Sequence, residues 1–80
     1  MTAGYYLTQI DKLMDDSQYD ARMTVFFIEA VNKAAMADDD LSRSDRNRVI
    51  IQGKATMKSV LDANPQTGYF INKGGTYENY

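Results

Sequence analysis

Residues 19–38 read YDARMTVFFIEAVNKAAMAD, and the spacing of their apolar side chains decides the fold. Apolar residues recur with the period of an α-helix, and one side of that helix is apolar along its whole length. We predict that this side faces the core and that its alanines let a neighbouring helix come close. The predicted core side consists of Met23, Phe26, Phe27, Ala30, Val31, Ala34 and Ala37.

A second side of the same helix is also apolar. Val25, Ile28 and Met36 lie there, with Asn32 among them. A helix that is apolar on two sides is usually central to its fold or buried in an assembly. Two interpretations follow: either the chain itself covers both sides, or the second side contacts another molecule. We expect Val25, Ile28 and Met36 to lie outside a simple three-helix core.

Two further helices are predicted around this segment. Residues 3–16 carry an apolar stripe at helical spacing, and Ser42 or Ser44 is a candidate cap for a third helix over residues 43–63. Pro65 prevents that helix from continuing. The expected fold class is all-α: an antiparallel three-helix domain over residues 1–65, followed by a C-terminal extended or β-hairpin tail.

Gly53 interrupts the apolar stripe of the third helix, where a glycine costs about 1 kcal/mol relative to alanine. We expect it to permit close contact with a bulky residue, Phe26 or Phe27. Ile51 falls off the stripe and is a second candidate for contact with another molecule.

The tail, residues 66–80, is rich in tyrosine and glycine. Two short apolar stretches around Lys73-Gly74-Gly75 predict a hairpin. An isolated hairpin is marginally stable in water, so we expect the tail to pack on the helices or to be partly disordered. Its aromatic residues Tyr69, Phe70 and Tyr77 are additional candidates for protein contact.

The composition argues against catalysis and metal binding. The 80 residues include no cysteine and no histidine, so disulfides, a Cys/His zinc site, a thiol nucleophile and an imidazole base are excluded. Asp38-Asp39-Asp40 does not start an EF-hand, because the glycine and glutamate that the loop needs at its sixth and twelfth positions are missing. We therefore predict a protein that is not an enzyme and has no catalytic residue, metal or cofactor.

The basic residues of the third helix support an alternative function. A recognition helix contacts DNA bases with its N-terminal residues, where arginines cluster in this chain. Against this, the net charge is −2, the acidic turn before the helix would repel phosphate, and the helical period scatters the cations. Arg46 falls within the apolar stripe, and we expect it to pair with Asp20 or with the acidic turn. The candidate nucleic-acid-binding residues are Arg43, Arg46, Arg48, Lys54 and Lys58.

The favoured function is protein–protein interaction through an apolar helix face, with another protein or by self-association along the second helix. Chains of this size and composition are typical of accessory proteins of phages and mobile elements, which act as inhibitors of a host protein or as assembly components. No membrane segment or secretory signal is evident, so we expect a cytoplasmic protein. The candidate protein-binding residues are Val25, Ile28, Met36, Ile51, Tyr69, Phe70 and Tyr77.

Overall fold

Three helices make up the described part of the chain. A computed structural model describes residues 1–16 and 19–66, and its helices are α1 (Ala3–Asp15), α2 (Ala21–Ala37) and α3 (Arg43–Ala63). All three predicted helices are confirmed, with boundaries close to the predicted ones. No strand is present among these residues. The hairpin predicted within residues 66–80 lies almost wholly outside them.

Each helix begins at a side-chain cap. In every case a side-chain oxygen accepts a hydrogen bond from the backbone N–H three residues further on, at 2.8–3.2 Å. Such a bond satisfies one of the N–H groups that the first turn leaves unpaired. Ser42, one of the two predicted caps of α3, is confirmed. The three caps are Thr2, Asp20 and Ser42.

The contacts between helices define their directions. Tyr6, near the start of α1, hydrogen-bonds Asp38, which directly follows α2. Arg46, near the start of α3, also reaches the Asp38 carbonyl, whereas Asn32 lies against Gly53 further along α3. α2 therefore runs antiparallel to both of its neighbours.

The core is built from one side of each helix. Its largest fully buried side chains are Ile10 of α1, Val25 and Ile28 of α2, and Val49 of α3. Leu41 is buried in the turn between α2 and α3. We call the buried side of α2 its inner face; it consists of Thr24, Val25, Ile28, Asn32 and Ala35.

This placement corrects the predicted orientation of α2. Val25 and Ile28, expected outside the core, are 0% exposed. Met23, Phe26 and Phe27, expected inside it, are 41%, 36% and 40% exposed. The helix is apolar on two sides, as the sequence indicates, but the side that meets α1 and α3 is the one that carries Val25 and Ile28, not the one that carries the phenylalanines.

Close contact between α2 and α3 explains the choice of side. A Cβ atom at Gly53 would overlap the side-chain amide of Asn32, so the two helices meet where α3 has no side chain. Asn32, only 4% exposed, fills that space and directs its Nδ2 toward the Ile50 carbonyl at 3.4 Å. Gly53 does permit a close approach, as predicted, but its partner is Asn32 rather than Phe26 or Phe27.

This contact predicts that Gly53→Ala changes the free energy of unfolding with opposite sign in two backgrounds. In the natural chain the new methyl displaces a buried amide, which costs about 1–3 kcal/mol and outweighs the helical preference of alanine, about 1 kcal/mol. In the Asn32→Ala background the space is open, so the same change stabilises by up to about 1 kcal/mol. Urea unfolding of the four proteins measures both effects; equal signs in the two backgrounds would contradict the contact.

Candidate protein-interaction surface

The side of α2 opposite the inner face is apolar and exposed. We call it the outer face. Its residues recur at helical spacing, with Phe26 and Phe27 side by side, and the face contains no charged residue. Its large side chains occupy the N-terminal half and its alanines the C-terminal half. The outer face consists of Met23, Phe26, Phe27, Ala30, Ala34 and Ala37, all of them exposed.

The aromatic part of the outer face is held in place by a neighbouring ring. Tyr19 lies against Phe27 with ring centroids 4.9 Å apart and planes inclined at 61°. Edge-on pairs of this kind contribute about 0.5–1.5 kcal/mol beyond the area they bury. The contact with Tyr19 restricts the Phe27 ring, and a restricted side chain would lose less entropy if this face bound another molecule.

Charged residues follow one edge of the outer face. Glu29 and Lys33, one turn apart, form an ion pair of 3.6 Å. Arg22 lies on the same edge, about two turns before Glu29. The Lys33 side chain is 74% exposed. An apolar strip bordered by charge is the usual composition of an interaction surface, in which a polar rim surrounds a water-excluded centre.

The structure separates the predicted protein-binding residues into three groups. Val25 and Ile28 belong to the core, so the prediction that they lie on an outer surface is wrong. Met36 and Ile51 are exposed, at 60% and 68%, but neither belongs to the outer face of α2. The three tail aromatics, Tyr69, Phe70 and Tyr77, lie outside the described residues.

The five candidate nucleic-acid-binding residues do not form one exposed basic patch. Arg48 lies 3.8 Å from Asp45, and Lys58 lies 2.6 Å from Asp62, each on its own helix. Arg43 and Lys54 are exposed, whereas Arg46 is drawn inward. Nucleic-acid binding by these five residues stays a prediction.

Arg46 differs from its predicted role. It was expected to pair with a carboxylate, but its Nη2 atom donates to two backbone carbonyls, those of Asp38 at 2.9 Å and Leu41 at 3.4 Å. These carbonyls follow the last turn of α2, where the helix dipole favours a cation. Arg46 therefore joins the start of α3 to the end of α2.

Asp38 connects the ends of the helices. Its Oδ2 accepts a 2.5 Å hydrogen bond from the Tyr6 hydroxyl and lies 3.1 Å from the Met1 amine, while its Oδ1 accepts from the Asp40 N–H at 2.9 Å. The Tyr6 bond, together with the Asp40 bond, lowers the pKa of Asp38. The same bond, with burial and the negative charge, raises the pKa of Tyr6 to about 12.

These two shifts predict the pH dependence of stability. The pKa of Tyr6 is higher in the folded chain than its usual 10.0, so its contribution is complete below pH 10.0 and is lost as the pH rises to about 12. The pKa of Asp38 is lower than its usual 3.8, so its contribution is present above pH 3.8 and is lost as the pH falls through the folded value.

Tyr6→Phe should therefore lower the melting temperature at neutral pH. The further decrease in melting temperature toward acid and toward alkaline pH should be smaller in this variant than in the natural chain. Tyr5→Phe is the control, because the Tyr5 ring is 43% exposed and has no hydrogen bond to Asp38. Thermal unfolding across the pH range measures the effect. Identical pH profiles for the natural chain and Tyr6→Phe would contradict it.

Other kinds of site receive no support from the described residues. In residues 1–16 and 19–66, no three metal-ligating side chains lie close enough together to hold an ion. No helix in the same part of the chain combines the length and apolar character needed to cross a bilayer. Comparison with protein-family models, with curated proteins and with solved structures finds no match to this chain.

Proposed function

We propose that this protein is a small protein-interaction module whose contact surface is the outer face of α2. One observation carries the proposal: Met23, Phe26 and Phe27 are adjacent, large and 36–41% exposed on a helix whose opposite side already forms the core. Contiguous exposed apolar surface bordered by polar residues marks interaction sites in soluble proteins. An inhibitor of another protein and an assembly component would both use such a surface.

The core of the monomer is formed by the inner face of α2. The inner face supplies the fully buried side chains Val25 and Ile28, so the outer face is not needed to fill the core. Aromatic residues and methionine are enriched at the centres of protein interfaces, where they gain most from losing water. Phe27, ordered by Tyr19, has the character of an anchor residue.

A photo-crosslinking amino acid in place of Phe27 tests the proposal in the cells that make the protein. We expect covalent adducts between this chain and another polypeptide chain at that position. The matched control carries the same amino acid in place of Asn47, an exposed residue of α3. Adducts no more abundant at position 27 than at position 47 would contradict the proposal.

The folding of such variants is checked separately. Phe27→Asp should keep the helical circular dichroism and cost about 1–2 kcal/mol, since it removes the ring contact with Tyr19 and a side chain that is 40% exposed. Ile28→Asp should cost more than about 3 kcal/mol, since it places a charge in the core. Similar costs for the two would show that the outer face is structural.

A further inference from the structure

The partner of the outer face can be inferred from the order of its side chains. We propose that two copies of this chain associate through their outer faces, with the two α2 helices antiparallel and Ala30 at the two-fold axis. This inference rests on the proposed function, because it names the partner of the same surface. Three features of α2 support it.

The first feature is the distribution of side-chain size. Met23 and Ala37 are fourteen residues apart, about 21 Å along the helix, with Ala30 midway between them. An antiparallel pair centred on Ala30 places Met23 of each copy opposite Ala37 of the other, and the two phenylalanines near Ala34. Large side chains then fill the space above small ones along the whole contact, as close packing requires.

A parallel pair would be poorly packed by comparison. It would bring Phe26 and Phe27 against their own copies at one end and Ala37 against Ala37 at the other. The first end would be crowded and the second would leave a gap, because helices pack at a nearly constant separation over such a length. The antiparallel alignment is the one that this sequence of sizes fits.

The second feature is charge at the ends of α2. Arg22 is exposed at the start of the helix, and the acidic turn at residues 38–40 follows its end, with the Asp40 side chain 87% exposed. In the antiparallel pair, Arg22 of each copy comes next to the acidic turn of the other. In a parallel pair the two acidic turns would lie side by side and repel each other.

The third feature is charge near the proposed axis. Glu29 and Lys33 border the outer face on the same edge, on either side of residue 31. Because a two-fold axis brings an edge against the same edge of the partner, each Glu29 approaches the other copy's Lys33. The Lys33 side chain is 74% exposed and the Glu29 side chain 14%, so Lys33 is the member of the 3.6 Å ion pair that reaches toward the partner.

The 80 residues of this chain include no cysteine, so single cysteines report directly on this arrangement. Ala30→Cys brings two sulfur atoms together at the two-fold axis. In a glutathione redox buffer, this variant should form a disulfide-linked dimer at least about tenfold faster than Ala55→Cys. Ala55 is the control because it is exposed on α3. Met23→Cys and Ala37→Cys should crosslink when mixed and not separately. Self-crosslinking of Met23→Cys at the rate of Ala30→Cys would overturn the antiparallel alignment.

Solution mass measured over a range of concentrations provides the second readout. The natural chain should shift from monomer to dimer as the concentration rises. Phe27→Asp should move that transition to at least about tenfold higher concentration. Asn47→Asp, which adds the same charge on α3, should leave the transition unchanged. A natural chain that stays monomeric, with Ala30→Cys no faster than Ala55→Cys, would overturn the dimer.

The position-27 crosslinks separate failure of this inference from failure of the proposed function. Adducts with a different protein, combined with a monomeric purified chain, overturn the dimer and leave the interaction surface standing. Crosslinks within one chain, to residues 67–80, overturn both, because the tail would then cover the outer face. Adducts of twice the chain mass support both.

Discussion

The contact between Asn32 and Gly53 is the constraint on which the rest of the structure depends. α2 packs more extensively on α3 than on α1, and at this point no side chain of α3 separates the two backbones. The Asn32 side chain fills the space that Gly53 leaves. Pairing these two residues turns the side of α2 that carries Val25, Ile28 and Ala35 inward, and it leaves Phe26 and Phe27 on the outside.

Burying Asn32 has an energetic cost as well as a steric role. Its Nδ2 makes one long hydrogen bond to the Ile50 carbonyl, and its Oδ1 has no hydrogen-bond partner among the described residues. An unpaired buried polar atom destabilises a fold by about 1–3 kcal/mol. The Asn32 side chain also disfavours other alignments of α2 on α3. A shift along the helix would place its amide against another side chain instead of the open space at Gly53.

Polar contacts stabilise the end of the bundle at which α2 leads into α3. Asp38 joins α1 through Tyr6, and Arg46 joins α3 to the carbonyls that end α2. A domain of 80 residues buries too little surface to be stable by a wide margin, so such contacts matter more than they would in a larger protein.

The sequence predicted the helices well and their packing less well. The helical period of the apolar residues predicts α1, α2 and α3, Ser42 is confirmed as the cap of α3, and Gly53 lies within the apolar stripe of α3. The orientation of α2 was not, because both of its sides are apolar and the larger residues were assigned to the core. The distance between helices decides the orientation, and the signal for it was the pairing of a mid-helix glycine with a buried asparagine. The excess of apolar surface on α2 was predicted; its location was reversed.

The outer face of α2 should be exposed to solvent in the monomer and covered on association. The methyl groups of the methionines test this most directly. Relaxation of these methyls by a soluble paramagnetic agent reports the exposure of each. In dilute solution we expect strong relaxation for Met23 and Met36 and protection for Met57, which is 3% exposed. In concentrated solution Met23 alone should become protected. A Met23 methyl protected at every dilution would contradict the account.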